Sequence, residues 1–206
     1  MLMTLLYQTH SPFARKALVV AKECLLDSLI EVVHHETSPV VRNEEVYAAN
    51  PLGKVPVLIM DSGITLYDSN VICAYFDALS SGPKLLPDDP ALHFTTLRLE
   101  ALAQGICDAG IRYRTETERR PEGMRWQKYA DGQAGKLLAA YEYLENSDDL
   151  DGPLNIGHLA LGTALDWIVF RGLPGFESFP KLNDWYLTII QRESFIQTQY
   201  SGQTFD

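Results

Sequence analysis

Cysteine is scarce in this chain: three residues in 206, Cys24, Cys73 and Cys107. The number is odd, no two form a CxxC pair, and each sits in an apolar helical context, so a disulfide scaffold is excluded. Small buried thiols in a reducing cytoplasm are expected instead. Metal-ligand spacing is lacking as well. His34 and His35 are adjacent, with no second ligand pair at useful spacing, so no metal site is expected. No run approaches the roughly 18 uncharged apolar residues of a membrane span, and no membrane association is expected. The opening MLMTLLYQTHSPF lacks a basic leader and a small-residue cleavage site, and reads as a strand rather than a signal peptide. Basic residues are also short, 17 against 27 acidic, for a net charge of −10. The deficit is spread over both halves of the chain. Such a surface repels phosphate backbones, which argues against nonspecific nucleic-acid binding. An anionic ligand would have to be held by local donors such as helix N-termini.

What is present is ordinary globular material, 46% apolar and 21% charged, enough for one or two domains with a real core. Residues 2–8 read as a buried strand. Pro12 suits the first turn of a helix running from Phe13 to Leu25. Leu29 to Val33 forms a second strand, 38–50 holds at most a short helix, and Val55 to Met60 and Ile64 to Tyr67 form a hairpin around Asp61-Ser62-Gly63. Asp68 or Ser69 caps a helix through Leu79. The order is βαβ followed by ββα. Ser80-Ser81-Gly82-Pro83 and Pro87-Asp88-Asp89-Pro90 mark a linker. Beyond it strand signals vanish and helices are expected over 91–118, 124–146, 156–170 and 180–192, the third of them apolar and central to its bundle. The expected division is therefore an α/β domain over 1–79, a linker over 80–90 and an all-helical domain over 91–206.

Three segments stand out. In Asn50-Pro51-Leu52-Gly53-Lys54-Val55-Pro56-Val57-Leu58 a proline interrupts an apparent strand. A cis bond before Pro56 would turn the Val55 backbone toward a ligand, although the frequency of such bonds alone favours trans. In Thr9-His10-Ser11-Pro12-Phe13-Ala14-Arg15-Lys16 a strand runs into a helix N-terminus, where open N–H groups favour a thiolate or carboxylate. Ser11 is either a donor at that mouth or simply an N-cap. His10 reads as an exposed loop histidine. In Leu66-Tyr67-Asp68-Ser69-Asn70 a carboxylate and a hydroxyl precede a helix, able either to hold the two charged ends of a ligand or to cap.

The succession SPFARK, NPLGKVPVL and LYDSNVICAYFD followed by an all-helical half resembles the glutathione S-transferase family over essentially the whole chain. It is most similar to bacterial members whose first motif reads Ser-Pro-Phe-x-Arg-Lys, the YibF-like group. ALAQGICDAG at 101–110 and RESF at 192–195 add to the likeness. The resemblance implies a thioredoxin-like domain plus a helical bundle, a cis Pro56, and glutathione as co-substrate without a metal. It implies glutathione contacts at Phe13, Lys54, Val55, Pro56, Asp68 and Ser69: Val55 through its backbone to the cysteinyl part, Asp68 and Ser69 at the γ-glutamyl end, and Lys54 toward the glycyl carboxylate. Ser11 would lie beside the sulfur as the catalytic donor, with Tyr7 at the end of the first strand as the runner-up. Ser11 and Ala14 stand where redox relatives carry two cysteines, which excludes dithiol chemistry here. His158 stands where the family usually places a carboxylate three residues after a helix cap, here Asn155. A twofold homodimer through 69–79 and 91–118 is implied, with Gln104 at a position where some relatives reach across to the partner. The activity implied is conjugation of the glutathione thiolate to a small apolar electrophile, detoxification chemistry. Tyr113, Arg112 and Arg114 either line the co-substrate pocket or form a solvated helix face. The other class of function is a binding or regulatory module of the same fold without significant transferase activity.

Overall fold

The computed structural model describes residues 2–203. By packing, the chain forms two units, one running to Asp88 and taking in the residues from Glu193 onward, the other spanning Asp89–Arg192. The expected boundaries followed sequence punctuation alone. Packing assigns the last described residues to the first unit rather than to the helical one.

The first unit is thioredoxin-like. It contains β1 (Met3–Tyr7), α1 (Pro12–Glu23), a 3₁₀ turn at Asp27–Leu29, β2 (Ile30–His34), α2 (Glu44–Ala49), β3 (Val57–Ile59), β4 (Thr65–Leu66) and α3 (Ser69–Leu79). The sheet order is β2-β1-β3-β4. β1 runs parallel to β2, with Tyr7 opposite His34, and antiparallel to β3, with Leu6 opposite Val57. β3 and β4 pair antiparallel, Leu58 against Leu66. Central strand β1 is buried except at Thr4, as expected of a strand covered on both faces. Leu5, Val19, Val20, Val57, Leu58, Ile72 and Phe76 are fully buried and form the core of this unit. The hairpin strands are shorter than the apolar pattern suggests because Pro56 has no N–H to give to a ladder.

The second unit contains α4 (Pro90–Arg114), a π turn over Thr115–Arg119, α5 (Gln127–Glu145), α6 (Ile156–Phe170) and α7 (Pro180–Ile189). Helix α6 is buried on nearly all faces, from Ile156 through Leu165 and again at Trp167 and Ile168, which matches its all-round apolarity. Gly157 permits close approach to α4. A Cβ there would lie 2.8 Å from the Thr96 carbonyl oxygen and 2.9 Å from Leu99 Cβ. Asn155 caps α6 by accepting the His158 N–H at 3.0 Å. The His158 ring donates from Nε2 to the Asp149 carbonyl at 3.0 Å. Among the described residues no helix is long and apolar enough to cross a membrane.

Candidate functional site

Strand direction places three loops at one end of the sheet. The C-terminal end of β1, the N-terminal end of β3 and the C-terminal end of β4 lie side by side because β3 runs against both neighbours. Ser11 follows β1, Val55 precedes β3 and Asp68 follows β4. A hydrogen bond from Lys16 of α1 to Asn70 of α3 ties the first turns of these two helices together.

Ser11 is buried, and its extended backbone makes it the N-cap of α1. Its Oγ accepts the Ala14 N–H at 3.2 Å. A hydroxyl carries a donor as well as lone pairs, so capping leaves the Ser11 O–H available. Pro12 has no N–H, and the Phe13 N–H makes no hydrogen bond among the described residues. An open donor therefore remains at the positive end of the helix dipole.

The second loop is held by its own side chains. Asn50 accepts the Leu52 N–H at 3.0 Å and donates to the Lys54 carbonyl at 2.9 Å. Thr37 donates to the Gly53 carbonyl at 2.9 Å. Gly53 has φ +61°, and a Cβ there would overlap the Tyr47 ring, so the turn requires glycine. This bonding stops at Lys54. The Val55–Pro56 bond is cis. Val55 is buried, yet its N–H and C=O have no hydrogen-bond partner among the described residues. The Lys54 side chain is exposed.

At the third loop the Tyr67–Asp68 bond is also cis. Asp68 caps α3, accepting the Asn70 N–H at 3.1 Å. Its second carboxylate oxygen stays open. Ser69 is 1% exposed, and its Oγ is buried without a hydrogen-bond partner among the described residues. An unsatisfied buried hydroxyl costs about 1–3 kcal/mol, a cost that a ligand's acceptor would remove.

His10 departs from the expected exposed loop residue. It is 5% exposed, with its Nε2 3.7 Å from the Glu36 carboxylate. Glu36 also accepts from Gln8 at 3.0 Å and lies 2.7 Å from the His34 ring. The cover comes from the far end of the chain. Ser201 donates to the Thr9 carbonyl at 3.2 Å, and Thr9 Oγ1 donates back to the Ser201 carbonyl at 2.9 Å. The short helix α8 (Glu193–Ile196) and the residues after it dock on α1 through Arg15. That guanidinium is 1% exposed, donates to the Phe195 carbonyl and Thr198 Oγ1, and lies 4.2 Å from the Tyr200 ring centroid. Sequence reasoning missed these supports of the Ser11 turn. Their only local trace is a basic residue preceding Val19 and Val20 on an apolar helix.

Tyr7 ends β1 and is buried, and that burial pushes its hydroxyl up to about 12, with Arg15 acting the other way. It stays protonated at neutral pH. Gln104 and Tyr113 lie half-buried on α4, and Arg114 pairs with Glu118 at 2.7 Å. Among the described residues no cluster of His, Cys, Asp and Glu gathers to hold a metal ion.

Residues 10–79, which carry all three loops, match the glutathione S-transferase N-terminal domain. Over 92% of its length the chain is 31% identical to the uncharacterized GST-like protein YibF of Escherichia coli K12, covering 94% of that protein. The fold superposes on a glutathione transferase family member from Pseudomonas fluorescens Pf-5, solved with bound glutathione, with a TM-score of 0.93 at 33% identity. That alignment spans 97% of this chain and all of the other. A glutathione S-transferase from Methylobacillus flagellatus KT, also solved with glutathione, gives a TM-score of 0.84 at 32% identity over the same shares. Likeness that extends through both units, together with a sheet end whose three loops fall inside the matched segment, leaves one conclusion: the chain belongs to the glutathione S-transferase family.

Proposed function

We propose that the protein binds glutathione at this sheet end and conjugates it to a small electrophile: the thiol gives up its proton, the thiolate forms an S–C bond, and the electrophile's leaving group, chloride from an aryl chloride, departs. The observation that carries the reading is the set of polar groups left open there: the Val55 N–H and C=O, the Phe13 N–H and the Ser69 hydroxyl. A tripeptide offers complementary groups. Val55 pairs with its cysteinyl backbone in strand fashion. Ser69 and the α3 N-terminus take the γ-glutamyl carboxylate, and the open Asp68 oxygen takes the ammonium. Lys54 faces the glycyl carboxylate, and Pro56 and Phe13 shape the wall. Glutathione supplies the nucleophilic sulfur.

Ser11 sets the protonation of that sulfur. A free thiol has a pKa of about 8.5, and lowering it by two units takes about 2.7 kcal/mol of differential stabilisation. One charge-assisted hydrogen bond from the Ser11 O–H plus the α1 N-terminus is of that size. Ser11 acts as a donor and orienter, not as a base or nucleophile. The reading includes a small apolar electrophile as co-substrate and a cytoplasmic setting, the latter in keeping with three buried cysteines outside any disulfide. It also includes a twofold homodimer through α3 and α4, tested by a sedimentation mass near twice the 23.1 kDa of the chain.

The test of function joins a thermal-shift titration to turnover. Glutathione at a hundredfold excess over Kd stabilises by about 2.7 kcal/mol, which raises Tm by roughly 5–10 °C in a chain of this size. Saturable conjugation of 1-chloro-2,4-dinitrobenzene is expected alongside. No shift at millimolar glutathione would overturn the binding site, and a shift without conjugation of any aryl halide would leave a binding module in place of a transferase.

A further inference from the structure

Backbone pairing stops short of the candidate site. β1 and β3 pair only as far as Leu6 opposite Val57. Beyond that point, among the described residues, no backbone hydrogen bond joins Gln8 or Ser11 to residues 50–56. Yet Ser11 and Val55 are proposed to meet two parts of one cysteinyl residue, its sulfur and its backbone, and those parts lie a fixed distance apart. The spacing of the two loops therefore needs a support that the sheet does not supply. Two buried polar side chains given no task so far, Gln8 and Thr37, lie between them.

A continuous relay runs through them. The Gln8 carbonyl accepts the Ser11 N–H at 3.1 Å. The Gln8 side chain donates from Nε2 to the Thr37 carbonyl at 3.0 Å and to the Glu36 carboxylate at 3.0 Å. Both partners are acceptors, which fixes the amide nitrogen on this side, and its two protons serve one each. Thr37 Oγ1 in turn donates to the Gly53 carbonyl at 2.9 Å. Glu36 is itself anchored, 2.7 Å from the His34 ring and accepting Asn43 Nδ2 at its carbonyl at 3.0 Å. At the far end Asn50 holds the Lys54 carbonyl at 2.9 Å. The relay Ser11–Gln8–Thr37–Gly53 thus ends two residues before Val55. Its two side-chain links are buried, where water does not compete for them.

Resting on the glutathione reading, we propose that Gln8 and Thr37 are positioning residues that set the spacing between Ser11 and Val55, and through it the protonation of the glutathione sulfur. Both act through the groups they hold. Glutathione anchored at Val55 and at the start of α3 moves with loop 50–55. Cutting the relay lets that loop shift against the Ser11 turn, and the sulfur moves away from the Ser11 O–H. Hydrogen bonds weaken steeply as angles and distances depart from the optimum, and a misplacement of about 1 Å can cost about 100-fold in rate. A small shift is therefore enough.

The test measures, on the full chain, the thiol pKa of bound glutathione by ultraviolet titration, turnover of 1-chloro-2,4-dinitrobenzene at saturating glutathione, and Tm. Thr37→Val keeps the branched shape and removes the donor. It is expected to raise the bound thiol pKa by about one unit and to lower turnover below that pKa by about tenfold. Thr37→Ser, which keeps the hydroxyl, is expected to restore most of both. In a Ser11→Ala background Thr37→Val is expected to add no further change in thiol pKa, since the relay acts through Ser11. Tm falls in Thr37→Val under either a positioning or a purely structural role, because the Gly53 carbonyl loses its donor, so Tm serves only to show a folded variant. Gln8→Met breaks the preceding link and carries the same expectations. Absence of any glutathione-induced rise in wild-type Tm would overturn the glutathione reading and this proposal together. With glutathione bound by the wild-type chain, four outcomes would each overturn the relay alone: a wild-type thiol pKa in both folded variants, no recovery in Thr37→Ser, an equal Thr37→Val shift without Ser11, or failure of both variants to fold, which would assign the pair to stability.

Discussion

Replacing Ser11 separates its two tasks. Its Oγ accepts the Ala14 N–H at 3.2 Å, and its O–H is proposed to meet the glutathione sulfur. Ser11→Ala loses both. The cap contributes about 1 kcal/mol, which lowers Tm by about 2–4 °C. The hydrogen bond to a thiolate contributes about 1.5–3 kcal/mol, so the thiol pKa of bound glutathione rises by about one to two units. Turnover of an aryl halide at neutral pH then falls about ten- to a hundredfold. Glutathione affinity holds, because Val55, Asp68 and Ser69 keep their groups. Ser11→Gly is the informative partner: glycine costs a cap only a few tenths of a kcal/mol, and the Ser11 backbone at φ −88° and ψ 122° suits any residue. Tm recovers in Ser11→Gly while activity does not. The assay is ultraviolet titration of the bound thiolate, with turnover and Tm measured on the same samples. The reasoning is refuted if both variants keep the wild-type thiol pKa while Tyr7→Phe raises it. Tyr7 carries a protonated hydroxyl at the end of the same strand and would then be the donor.

Asp68→Asn removes the proposed ammonium partner but keeps an N-capping oxygen, so calorimetry should show glutathione affinity down about tenfold with turnover at saturation unchanged. Gly157→Ala forces a methyl to within 3 Å of the Thr96 carbonyl and Leu99, and thermal unfolding should report a loss of about 1–3 kcal/mol. Burial holds the His158 imidazole below its ordinary range, so the unfolded chain takes up the proton more readily. Stability should be full above about pH 6.5 and decline below it, and denaturant titrations of His158→Gln should show a flatter decline.

Features set by neighbours along the chain were legible. Pro12 at the first helical position, the caps at Asp68 and Asn155, and the full extent of α6 all depend on residues within one or two turns. The segment 50–58 stood out through Pro56, but the turn that Asn50 and Gly53 build inside it appeared only with its hydrogen bonds and the positive φ of Gly53. Arg15 shows the opposite case. In SPFARK nothing local sets it apart, yet its partners Phe195 and Thr198 lie 180 and 183 residues away. His10 reads as exposed for the same reason, since its cover rests on Thr9 meeting Ser201. With no punctuation after the linker, the expected helical domain ran on to 206, and no local signal shows α8 packing on α1.

The candidate site divides along the same line. A polar group that bonds within its own loop can show its structural role in the sequence, as the cap at Asp68 does. The groups that point to a ligand are those whose partners are missing, namely the Val55 backbone and the Ser69 hydroxyl. A missing partner is a property of three-dimensional surroundings, so spacing cannot display it. The motif NPLGKVPVL and the pair Asp68-Ser69 marked where to look. Only the sheet, by setting β3 against β1 and β4, brings the three loops to one end, where their open donors and acceptors gather side by side.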